Sequence, residues 1–144
     1  PISAPSNWYS EMTENQIAKS LWVGDDKFNG TDYDCIIDLR EWNAEKTFEE
    51  EDYQYVDGII EDINIGLTHG KTLVHCHGGM DKSPFAVAMY LHVHHNLPPL
   101  EAYDAVQKRR KQTIIHGEWV FPYIEYLGTE SPHIKMLKSC RKTR

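Results

Sequence analysis

Short apolar runs alternate with longer stretches of helical period along this chain, and the two kinds of spacing predict its elements. Leu21, Trp22 and Val23 form a brief run closed by Gly24, which reads as a strand. Residues 33–39, Tyr-Asp-Cys-Ile-Ile-Asp-Leu, place apolar side chains on both faces, as a strand inside a parallel sheet does. Residues 53–56 alternate and are aromatic, so they predict a third strand, ended by Asp57-Gly58. Ile59, Ile60, Ile63 and Leu67 then share helical spacing, which predicts a short helix over 59–69. Residues 71–75 predict a fourth strand. Residues 84–93 are apolar nearly all round, the pattern of a helix buried at the centre of a domain. Pro98-Pro99 breaks the chain, and residues 100–110 predict an amphipathic helix with Tyr103 and Val106 inward. Trp119, Val120, Tyr123, Ile124 and Leu127 mark a last helix, with Pro122 near its first turn. At the front, Thr13 and Gln16 have capping-box spacing and predict a helical turn over about 14–19. Residues 45–52 are mostly acidic and read as a solvated helix or loop.

Strands alternating with helices predict one α/β domain over 1–144. Its expected centre is a parallel or mixed sheet of about four to five strands, flanked by helices on both faces. Residues 1–12 read as a loose arm and residues 135–144 as a basic tail. A net charge of −7 argues against general binding to nucleic acid or anionic membrane. No apolar run reaches membrane-spanning length, and the first residues lack the pattern of a signal peptide. Three cysteines, Cys35, Cys76 and Cys140, are too sparse and odd a set for a disulfide framework and suggest a reducing cytoplasm.

The candidate chemistry sits between the fourth strand and the buried helix. Residues 73–84 read Leu-Val-His-Cys-His-Gly-Gly-Met-Asp-Lys-Ser-Pro. A glycine-bearing loop that runs from a strand into a helix N-terminus can wrap its backbone N–H groups around an anion. His77, Gly78, Gly79, Met80, Asp81 and Lys82 would form that cradle, with Cys76 at its base. The same field favours the thiolate, and a thiolate under an oxyanion cradle is a nucleophile aimed at phosphate. A buried structural cysteine is the plainer alternative for Cys76, a core histidine for His75, and a helix N-cap for Ser83.

His75-Cys76, five residues, then Lys82-Ser83 resembles the signature loop of the cysteine-dependent protein tyrosine phosphatases, written HCX5R(S/T). The compact size resembles the dual-specificity branch. Lys82 departs from the pattern, since the family has arginine there. Lysine brings charge without the planar two-point grip on phosphate oxygens, which puts full activity in doubt. The resemblance implies hydrolysis of phosphomonoesters through a phospho-cysteine on Cys76, without cofactor or metal. His75 would orient the loop, and Ser83 would help the thiolate leave.

The family also uses an aspartic acid to protonate the leaving oxygen. Asp57, ahead of a glycine, is one candidate, with Glu61 and Asp62 weaker. Asp81 is another, because myotubularin-like phosphatases carry an acid inside the loop. Asp81 could instead pair with Lys82. Gln112 or His116 would position the hydrolytic water, while the basic cluster 108–111 reads as a solvated helix end. His92 and His95 share a helical face, and no further ligand is placed to join them at a metal. The expected partners are a phosphorylated protein or small phosphomonoester, with phosphate, sulfate or vanadate as inhibitors. The alternatives are a weak phosphatase-like module that binds phosphorylated ligands and, less well matched in loop spacing, a rhodanese-like sulfur transferase.

Overall fold

The computed structural model describes residues 13–44 and 48–129. The arm expected over 1–12 and the tail over 135–144 lie outside them. Eight main elements follow in order: β1 (Glu14–Ala18), β2 (Leu21–Gly24), β3 (Cys35–Asp38), α1 (Glu50–His69), β4 (Thr72–His75), α2 (Lys82–His95), α3 (Pro99–Arg109) and α4 (Gly117–Thr129). The strands form one mixed sheet in the order β1-β2-β4-β3. β4 lies between β2 and β3 and is parallel to both, while β1 runs antiparallel on the β2 edge. Gly24, His75 and Asp38 are paired at one level, so three carboxyl ends open on the same rim. Open α/β sheets bind ligands at that rim.

All four residues of β4 are buried, Thr72 and His75 as well as Leu73 and Val74. Leu21, Val23, Ile37 and Val74 join the helices in one core. The other face carries Trp22, whose ring packs on Tyr33, and His75, whose ring packs on Phe28. Among the described residues the β2–β3 connection therefore supplies that layer. α2 buries nine consecutive residues, from Ser83 to Leu91. Such a helix has no polar face to turn to water, and each large side chain such as Phe85 or Met89 contributes about 1.5–3 kcal/mol by its burial. Trp42, Phe48, Phe85 and Trp119 pack ring against ring with centroids 5.5–6.1 Å apart. No described helix is long and apolar enough to cross a membrane.

Two expectations are corrected. The turn predicted over 14–19 is strand β1. Asn15 and Ile17 alternate inward, and the inward face of an edge strand outweighs a capping pattern that has no apolar stripe behind it. The strand predicted over 53–56 and the Asp57-Gly58 turn lie inside α1. Glu49 and Asp52 form a capping box at its start, and Val56, Ile59, Ile60, Ile63 and Gly66 make one buried stripe. A helical stripe of that length overrides local strand propensity. Gly58 faces open space, so the helix meets no obstacle there.

Asp57 consequently faces the protein interior. It is 7% exposed, and its carboxylate accepts the hydroxyls of Tyr123 at 2.5 Å and Tyr126 at 3.1 Å. Burial, then the charge of Asp57, pushes the Tyr123 hydroxyl's pKa far up, so it stays a donor. Asp57→Ala should lower stability by about 1–3 kcal/mol, the cost of stranding buried polar groups. Denaturant titration checks this, with the midpoint falling at constant slope.

Candidate active site

The loop 76–81 leaves β4 and enters α2, and its shape follows from where its carbonyls are tied. His77 O accepts the Asp26 N–H at 3.1 Å, Met80 O accepts the Ile114 N–H at 2.8 Å, and Asp81 O accepts the Phe85 N–H at 3.2 Å. Gly79 O accepts Arg110 Nε at 2.6 Å and Gly78 O accepts Arg110 Nη2 at 3.3 Å. The carbonyls of residues 77–80 are thus tied to segments outside the loop, and that of Asp81 to the first turn of α2. A trans peptide points its N–H opposite to its C=O, so the N–H groups of residues 78–81 point away from those partners. The N-terminus of α2 adds positive potential there.

Arg110 lay hidden in the basic cluster of the sequence, yet it is 1% exposed. Its third nitrogen donates to Asn15 Oδ1 at 2.8 Å, which anchors it on β1. Burial pulls its pKa down, and the neighbouring carboxylates Asp25 and Glu14 oppose that pull. Three acceptors keep the guanidinium charged. Gly79 has φ +64°, and a Cβ there would lie 2.5 Å from Arg110 Nη2 and 2.6 Å from Gly24 O. Only glycine fits a left-handed turn pressed against backbone on one side and a guanidinium on the other. No spacing in the sequence distinguishes Arg110 from Lys108, Arg109 and Lys111.

Cys76 is 4% exposed at the base of the loop. Its Sγ lies 3.2 Å from Ser83 Oγ and 3.5 Å from the Ser83 N–H. The hydroxyl and the N–H can both stabilise sulfur as an anion. Ser83 sits in the first turn of α2 and is fully buried, so its hydroxyl serves the thiol and Gly24 O, not a helix cap. His75 is also buried, with Nδ1 3.4 Å from Cys76 O. Burial lowers its pKa, so a neutral ring supports the loop from below.

Lys82 opens α2 half-buried. The pairing considered for it with Asp81 is not made. Asp81 turns instead to His116, with Oδ1 2.6 Å from Nε2. Asp57 is not brought to the loop, since it lies within α1 against α4. Glu61 and Asp62 belong to the same helix. Gln112 precedes the segment that ties Ile114 to Met80. His92 and His95 are engaged with Leu97 O and the Tyr90 hydroxyl.

No family model matches the chain. Mouse dual specificity protein phosphatase 14 is 42% identical over 57 residues, which is 39% of this chain and 29% of that protein. The Drosophila melanogaster dual specificity protein phosphatase MPK-4 is 35% identical over 63 residues, 43% of this chain and 16% of that protein. The matched part thus spans under a third of these relatives. Among solved structures, human DUSP28 superposes with a TM-score of 0.67 at 14% identity, covering 80% of this chain and 93% of that one. PTPMT1 in complex with PI(5)P superposes equally well at 16% identity, covering 90% of this chain and 99% of that one. Together these matches bear out the resemblance to the dual-specificity side of the cysteine-dependent protein tyrosine phosphatases, and the sheet with its flanking helices is their fold.

Arg110→Met should keep the helix and release two loop carbonyls. A loss of at least about 1.5–3 kcal/mol is expected for removing a charged donor from buried acceptors. Iodoacetate labelling supplies the second readout. In the unmodified protein Cys76 should react faster than Cys35 and be shielded by vanadate, and the variant should lose the shielding.

Proposed function

From the dual-specificity phosphatase fold as premise, we propose that this protein hydrolyses phosphomonoesters through a phospho-cysteine on Cys76. The observation that supports this reading is that the carbonyls of residues 77–80 are tied to segments outside the loop, beside a buried sulfur, so their opposed amides are free to serve as an anion cradle. A phosphate dianion in that cradle places phosphorus over Sγ. The thiolate attacks, the ester oxygen departs with a proton, and water then releases phosphate. The Ser83 hydroxyl stabilises sulfur as it leaves. Lys82 supplies charge beside the phosphate. The acid role falls to Asp81, which stands on the rim of the loop, and not to Asp57.

A protein phosphotyrosine, or another aryl or protein-borne ester, suits the mouth of the site better than a polyanionic headgroup. Met80 and Ile114, 37% and 46% exposed, are joined through backbone on that rim and give it an apolar character. A reducing compartment such as the cytoplasm keeps Cys76 free, as the described cysteines are. Phosphate, sulfate and vanadate should compete for the cradle. The second reading, a module that captures phosphorylated ligands and turns over poorly, is favoured by one residue, Lys82. Lysine cannot grip two equatorial oxygens as charge spreads.

Steady-state hydrolysis of p-nitrophenyl phosphate tests both readings. Cys76→Ser should abolish turnover with the fold intact. Lys82→Arg should raise kcat by about one to two powers of ten, the equivalent of one charged hydrogen bond of about 1.5–3 kcal/mol, with a smaller change in KM. Asp57→Asn should leave the dependence on leaving group unaltered. Turnover that survives Cys76→Ser contradicts the enzyme reading. Phosphate binding without turnover in both the wild type and Lys82→Arg favours the module.

A further inference from the structure

The rim of the loop holds a second arrangement of titratable groups. His116 is fixed on four sides. Its ring stacks on Trp119 with centroids 3.8 Å apart and planes 13° off parallel. Its backbone N–H donates to the Tyr103 hydroxyl at 3.3 Å. Nε2 lies 2.6 Å from Asp81 Oδ1, and Nδ1 lies 2.6 Å from Glu118 Oε1. Trp119 itself is wedged among Phe48, Phe85 and Trp42, so the imidazole is referenced to the aromatic core and not to a mobile surface.

Proton counting gives this arrangement chemical content. A contact of 2.6 Å between a ring nitrogen and a carboxylate oxygen needs a proton between them. A neutral imidazole carries one N–H, so two such contacts require two protons across Asp81, His116 and Glu118. The Glu118 carboxyl is held below its usual range, first by its hydrogen bond with His116. The proton on that side therefore stays with Nδ1. The second proton lies in the contact between Nε2 and Asp81 Oδ1, and Asp81 belongs to the loop that Cys76 begins.

We propose that Asp81 and His116 together form the proton donor for the leaving group, with Glu118 as the positioning residue that fixes the ring; this rests on the Cys76 reading above. In the first step a bond forms from Cys76 Sγ to phosphorus and the bond from phosphorus to the ester oxygen breaks. The departing oxygen takes the proton shared by Asp81 and His116, and Nδ1–H stays on Glu118. In the second step water adds to phosphorus and the bond to sulfur breaks, returning the thiolate. One proton of that water restores the pair, and the other leaves on the phosphate. The groups facing the pair are Tyr103 on α3 and Glu118 on α4.

Two variants and one spectrum test this. His116→Asn keeps an amide able to donate to Asp81 but holds no titratable proton. It should lose at least about tenfold more activity on phenyl phosphate than on p-nitrophenyl phosphate, because the poorer leaving group needs the proton more. Glu118→Gln removes a negative neighbour, so the proton is held less tightly. Its alkaline limb in kcat/KM should move to lower pH by about one unit. Nitrogen-15 spectra of side-chain-labelled protein should show both His116 ring nitrogens bonded to hydrogen, whatever the activity. Equal losses on both esters, with phospho-cysteine still formed, would overturn the donor role and leave the Cys76 reading standing. A wild type that never phosphorylates Cys76 removes both. A His116 ring with one bare nitrogen beside an ionised Asp81 refutes the two-proton unit on its own.

Discussion

The geometry of this site depends on one contact, the buried guanidinium of Arg110 against the carbonyls of Gly78 and Gly79. A loop that binds an anion through its amides must present its carbonyls elsewhere, and carbonyls buried without donors cost about 1–3 kcal/mol each. Arg110 satisfies two of them at once and brings a positive charge against the loop. Asn15, on the edge strand, holds the guanidinium in turn. The backbone of Asp26 and Ile114 completes the arrangement from the β2–β3 and α3–α4 connections. Segments far apart in sequence thus converge on six residues between a strand and a helix.

This explains why the fold was more legible in the chain than the details of the site. The loop was readable because its requirements are local: a buried strand before it, glycine where φ is positive, a small polar residue and proline at the helix start. Strands β2 and β4 and the central helix are readable because their burial is nearly complete and each carries consecutive apolar residues. Helix α1 was misread because Tyr53, Gln54, Tyr55 and Val56 satisfy a period of two locally. The longer stripe from Val56 to Gly66 decides the element only once the core it packs on is known. Arg110 was illegible for a similar reason. Four consecutive basic residues look alike until a partner 31 residues earlier selects one of them.

The same distinction separates the two candidate acids. Asp57 followed an apparent strand and preceded a glycine, a good local pattern, but the helix turns it inward to Tyr123 and Tyr126. Its work is packing between α1 and α4. Asp81 reads in the sequence as a second candidate acid or as a partner of its neighbour Lys82, whereas its partner in space is His116, 35 residues later. From the sequence alone, His116 reads as a group that would position water. The aromatic core that clamps His116 through Trp119 is also the core that fixes α4 on α2, so stability and site geometry share the same side chains. Lys82 is the position where the loop departs from the arginine of the signature it resembles. The donors around it depend on backbone and on Arg110, which is how the cradle keeps its shape without the usual arginine.

The central claim is that the buried sulfur of Cys76 becomes bonded to phosphorus during turnover. Rapid acid quenching of the protein with a phosphorus-labelled aryl phosphate, followed by peptide mapping, tests it directly. The account predicts transient label on the peptide that contains Cys76, stable to acid and lost on longer incubation as phosphate is released. Turnover with no label on that peptide, or label on a histidine or serine instead, would contradict it.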